Sequence, residues 1–209
     1  MYLFNANPTT EIVAFLIQNG ATVTSKNKYG DTPLHEYLQC ANPKTEIVDY
    51  LVQHGAEVTL RNKSGYTPLH VYLLNDKPKA EIVARLTRHG AVVTSQHKYG
   101  NTPLHLYLRW SNPTIEIVDY LVQHGASATS RNMYGDTPLH EYLQCANPKT
   151  EIVDYLVQHG AEVTLRNKNG NTPLHVYLST DQATLEIVTY LTKKCASVTA
   201  LNTVIHIKY

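Results

Sequence analysis

Apolar residues fall into two alternating patterns along this chain, and each predicts a helix. Behind Thr32-Pro33, Leu34, Tyr37 and Leu38 stand at i, i+3 and i+4, the spacing of one buried helical face over about two turns. Threonine is a good N-cap there. Proline is tolerated at the first helical position because its missing amide would be unpaired anyway. Asn42-Pro43 repeats this cap-then-proline signal, and Glu46 puts an acid near a second helix N-terminus. Ile47, Val48, Leu51 and Val52 then give a wider buried stripe, and Gly55 after His54 ends that helix. The following AEVTLRNKSG is β-branched and polar with a closing Gly65, which predicts an extended or hairpin-like connector.

The pair of patterns recurs every 35 residues: TPLH begins at Thr32, Thr67, Thr102, Thr137 and Thr172, and Tyr29–Lys63 is identical to Tyr134–Lys168. A fixed period in this range is the signature of stacked repeats. All ten prolines fall in two register positions and all ten glycines in two others, so no breaker residue is left over for an inserted domain. The whole of 1–209 reads as one array. Residues 1–29 form a partial first unit, 30–64, 65–99, 100–134 and 135–169 are full units, 170–203 is a degenerate last unit, and 204–209 is a tail.

The G-x-TPLH turn, the short helix, and E-I-V-x-x-L-x-x-x-G-A as the second helix resemble the ankyrin repeat, over essentially all of residues 1–203. The resemblance implies an all-α solenoid of stacked helix-turn-helix units with hairpin-like connectors. It also implies that the TPLH histidines bond neighbouring backbone. Three departures stand out. The period is 35 rather than the usual 33 or so, with the two extra residues between the helices. Tyr-Leu, as in Tyr107-Leu108, stands where alanines are usual. Threonine, as in Thr94, replaces the usual connector asparagine, which argues against asparaginyl hydroxylation there. The TPLHxYL…NPxxEIVxYL wording is similar to poxvirus ankyrin proteins. That implies a host partner, a host-defence context and a host-cytoplasmic location. Such proteins often carry a C-terminal F-box-like segment; nothing after Leu201 resembles one, which argues against ubiquitin-ligase recruitment by this chain.

Composition narrows the partner. A formal charge of +1 gives no global pull toward nucleic acid or an anionic membrane, and no apolar run reaches the length of a membrane span. Three cysteines, with Cys40 and Cys145 three layers apart at about 10 Å per layer, predict a reducing, intracellular setting. Eleven histidines invite a metal reading, but equivalent residues in successive layers stand too far apart to share one ion. The Glu and Asp of EIVD read as a solvated helix face, and no nucleophile, phosphate-loop or zinc motif occurs. The expectation is a non-enzyme without cofactor or metal. A basic stripe runs through the connectors (Lys26, Lys28, Arg61, Lys63, Lys98, Arg131, Arg166, Lys168); near-equal acids elsewhere make a solvated edge or an acidic protein surface the simpler reading than nucleic acid.

The ends carry apolar residues, Tyr2, Leu3 and Phe4 at one and Val198, Val204, Ile205 and Ile207 at the other. Natural arrays need polar caps, so a fragment of a longer array is expected, with folded-back tails as the alternative. Stacked units offer an extended concave face, and positions that vary between similar repeats are where a partner is read. These are Tyr66, Tyr99, Asn101, Tyr134 and Asp136 at the tips, and Val71, Leu74, Leu106, Arg109, Trp110 and Glu141 on the first helices. The only tryptophan and an arginine, residue types enriched at binding hot spots, meet in the centre. The chain is therefore expected to be a monomeric, non-catalytic protein-binding module. The alternative is a gene remnant or engineered scaffold with no evolved partner.

Overall fold

A computed structural model describes residues 8–194. Its helices are α1 (Thr10–Gln18), α2 (Pro33–Tyr37), α3 (Thr45–Gln53), α4 (Pro68–Tyr72), α5 (Ala80–Arg88), α6 (Pro103–Trp110), α7 (Ile115–Gln123), α8 (Pro138–Tyr142), α9 (Thr150–Gln158), α10 (Pro173–Leu178) and α11 (Leu185–Lys193). No strand occurs among the described residues. Short and nine-residue helices alternate. Short packs on short and long on long, from α2 against α4 to α9 against α11. The result is an all-α solenoid two helices deep, with one buried cluster running from Val13 to Leu191. The apolar end residues named above, and Cys195, lie outside the described residues.

Each TPLH turn is closed by its histidine. In the second full turn the Nδ1 of His70 accepts from the Thr67 amide at 3.2 Å and from the Thr67 hydroxyl at 2.8 Å. The same ring then carries its proton on Nε2 and donates it to the Asn101 carbonyl, one repeat on, at 3.3 Å. His35, His105 and His140 reach Tyr66 O, Asp136 O and Asn171 O in the same way. One side chain thus caps its own helix and ties two layers together. Burial pushes the pKa of His70 and His105 down to about 4.

The second helices begin later than the sequence pattern predicts. Asn42-Pro43 does not cap α3; the helix starts at Thr45, and Lys44 is the N-cap without a side-chain cap bond. The Lys44 amide instead donates to the Tyr37 hydroxyl at 2.7 Å. Tyr72, Tyr107, Tyr142 and Tyr177 receive the amides of Lys79, Thr114, Lys149 and Thr184 at 2.6–2.8 Å. All five rings are essentially fully buried. The two departures at this point are therefore one device: a phenol long enough to cross the unit replaces a methyl group, and the longer loop brings an amide to its oxygen.

The connectors close as tight turns, Gly100 N donating to His97 O and His97 N to Asn101 O. Backbone bonds then join turn to turn: Lys63 N to Tyr29 O, Lys98 N to Ser64 O, Met133 N to Tyr99 O and Lys168 N to Tyr134 O. Gly100 has φ +78°, and a Cβ there would stand 2.9 Å from Met133 N, so close approach and left-handed geometry both demand glycine. The long helices are tied by side chains instead. Asp49 takes Arg85 and His89, Tyr155 donates to Asp119 and Tyr190 to Asp154, each at 2.6 Å. The aspartates of EIVD are thus cross-links rather than a solvated face; Glu46, Glu116 and Glu151 are the exposed members.

Tyr72→Phe keeps the ring and removes the acceptor for the Lys79 amide. It should cost about 1–2 kcal/mol, read as a lower urea midpoint with unchanged m-value. The buried histidines set a pH dependence. Their folded pKa lies below the unfolded 6.5, so their contribution is full above pH 6.5 and is lost as pH falls through about 4. His70 and His105 contribute on the order of 3 kcal/mol each. Urea midpoints should fall steeply from pH 6.5 to 4; a flat profile across that window would refute the assignment.

Candidate protein-binding surface

At the tips, the basic stripe divides into two sets. Arg61 donates to the Gln96 carbonyl one repeat on, Gln96 to Arg131 O at 3.3 Å, and Arg131 to Arg166 O at 3.0 Å. These side chains are spent on the stack. Lys28, Lys63, Lys98 and Lys168 are exposed at the turn apices, with Lys28 over the Tyr29 ring. Tyr99 and Tyr134 stand beside Lys98 and Met133, each more than half exposed.

The residues that vary just inside the tips are matched to the next unit. Asn62 donates to Asp31, Asn132 to Asn101 and Asn167 to Asp136, at 2.7–2.8 Å. Where Tyr66 replaces the polar residue, His97 replaces the asparagine. Their rings meet edge to face at 4.7 Å, and His97 Nδ1 accepts the Tyr99 amide that an asparagine oxygen accepts elsewhere.

Further along the first-helix layer, α6 runs three residues longer than α4 or α8 and carries Arg109 and Trp110 in its last turn. The Arg109 guanidinium lies 4.9 Å from the Trp110 ring centre. It pairs with Glu141 at 3.5 Å and donates to the Gln144 carbonyl. Glu141 also accepts from Asn132 at 2.9 Å. Burial, and next the Asp136 charge, push Glu141 up to about 7. Ser111 ends α6 and donates to Leu73 O and Asn75 O of the preceding unit. Trp110 is left 63% exposed at the wall of an open groove of about 500 Å³ shared with Cys145 and Asp181.

A family model, ankyrin repeats in three copies, matches residues 1–97, 38–132, 72–167 and 115–202. The chain is an ankyrin-repeat protein. No curated protein matches it. Ankyrin repeats are generally protein–protein interaction modules and typically non-catalytic. No helix among this array's described residues is long and apolar enough to cross a membrane, and none of their His, Cys, Asp and Glu clusters is placed to hold a metal ion.

The ankyrin stack sorts the expected contact residues into three groups. Tyr99, Tyr134, Trp110 and, at its margin, Leu74 are exposed, and Arg109 is held against Trp110. Leu106 is 2% exposed, and Val71 and Asp136 are likewise buried. Leu106 and Val71 lie in the packed first-helix layer, and Asp136 accepts from Asn167 of the next connector. Tyr66, Asn101 and Glu141 are partly covered and engaged with His97, Asn132 and Arg109. Their variation follows the adjacent unit. Met133, exposed beside Tyr134, and the apex lysines are surface residues that the first-helix pattern misses; the reverse-turn signal around each Gly would have found them.

Glu141 gives a test of this geometry. Its folded pKa is raised above the ordinary 4.5, so its contribution is full below 4.5 and is lost as pH rises through about 7. Glu141→Gln should therefore gain stability relative to the parent on going from pH 5 to pH 8, by on the order of 2 kcal/mol. Paired urea titrations at the two pH values check it; a constant difference would refute it.

Proposed function

We propose that this array is a non-catalytic docking module that binds another protein across its first helices and connector tips. The observation that carries the reading is Trp110, a tryptophan left open to solvent yet fixed by the Arg109 stack and the Ser111 cap. A large ring immobilised before binding loses little conformational freedom on contact, which is the physics of a hot spot. Leu74, at the position of Arg109 in the preceding unit, adds a partly exposed apolar side chain to the same layer. The poxvirus-like wording of the repeat supports a host protein as the partner and the host cytoplasm as the setting, with the array acting as a monomer.

Trp110→Ala, alone and with Leu74→Ala, should lose a host protein that the parent retains from mammalian cell lysate, at a cost of roughly 2 kcal/mol or more in affinity. Circular dichroism and the urea midpoint establish that the variants fold. Equal retention by the folded variants would remove Trp110 from the surface. Retention of nothing by the parent would favour a repeat protein without an evolved partner.

A further inference from the structure

The connector tips form a second surface with its own chemistry. Across the five connectors the sequence places eight Lys and Arg against four Asp and Glu, and two of the four acids, Asp31 and Asp136, are buried in inter-unit bonds. Since the whole chain carries only +1, positive charge is concentrated along this edge. The arginines face their own stack; the apex lysines do not. Among the described residues none of the ion pairs involves an apex lysine. The order of the apices is Lys28, Lys63, Lys98, Met133, Lys168, each beside Tyr29, Ser64, Tyr99, Tyr134 or Asn169. The backbone bonds between successive turns hold this order at a fixed repeat.

We infer that the tip edge binds an extended acidic polypeptide and reads it at every third residue. This deepens the protein-binding reading and rests on it. Stacked layers repeat at about 8–10 Å, and a chain extended as a polyproline-II helix advances about 3.1 Å per residue with three residues per turn, so three residues span one layer and every third side chain returns to the same face. Acidic side chains at every third position meet Lys28, Lys63, Lys98 and Lys168 in turn. The fourth apex differs: Met133 and Tyr134 offer an apolar seat, so the matching residue is apolar. Exposed Tyr29 and Tyr99 stand beside Lys28 and Lys98 and offer apolar cover to the spacer residues there. A single-stranded nucleic acid also offers negative charge and stacking. The methionine break in the lysine series, and the absence of arginine at the apices, favour a peptide with one apolar slot.

The probe is a fluorescent peptide of about 13 residues, with Glu in every third position except the slot opposite Met133, which carries Leu. It is made in both chain directions, beside a shuffled peptide of the same composition. Anisotropy titrations at low and high salt should show one direction binding at least about fivefold more tightly than the shuffle. Lys63→Glu with Lys98→Glu should weaken it by about tenfold or more. Met133→Lys should reverse the preference, so that Glu in the special slot binds better than Leu. Trp110→Ala should leave peptide affinity unchanged, which separates failure at the tips from failure at the first-helix surface. Equal binding of matched and shuffled peptides, equal binding of an oligothymidylate of the same charge, or no binding by the folded protein would each overturn the inference.

Discussion

The structure depends on an imidazole that must stay neutral. Nδ1 of each TPLH histidine has to accept from threonine, so only Nε2 is left to carry the proton, and in His35, His70, His105 and His140 it crosses to the next layer. A charged ring would have a donor on each nitrogen, one of them aimed at the donors of its own turn. The capping of one unit and its attachment to the next therefore share a single protonation state. Burial enforces that state, and the stack in turn supplies the burial. Local and long-range order are coupled through one side chain, which is why a repeat of this kind has so little structure of its own to offer outside the array.

The tyrosines add a second coupling, inside the unit rather than between units. A ring with no solvent exposure ends in an oxygen that satisfies the leading amide of the partner helix. In a capping box this amide, the N-cap residue's own, is taken by the side chain three residues on. Lysine stands at the N-cap of α3, α5 and α9 without a side-chain cap bond.

Much of the architecture was legible in the chain. Period, helix pairing, turn glycines and the buried stripes follow from local spacing, which the stacked fold leaves intact. What was not legible depended on side chains from other layers or from across the unit. Asn42-Pro43 looked like a helix start because the sequence does not show Tyr37 reaching Lys44. Leu106 and Val71 varied and sat on a first helix, so they looked like contact residues; the packing of adjacent first helices buries them. Tyr66, Asn101 and Asp136 looked like a variable recognition set. Their variation is matched one unit on, tyrosine with histidine and acid or amide with asparagine. Variation between repeats is thus a mixture of two records, one of partners outside and one of neighbours inside, and only coordinates separate them.

The two edges of the stack are fastened by different means. The tips are joined backbone to backbone, so closely that a Cβ on Gly100 would clash with the Met133 amide nitrogen. The long helices are joined by carboxylates, phenols and an imidazole at the ends of rotatable chains. Bending the array therefore meets unequal resistance: the tip edge is close to inextensible, while the opposite edge can open and close as side chains adjust. The tip row behaves as the neutral line of a flexing beam, so the spacing it presents stays constant while the curvature of the rest is free to follow whatever it holds.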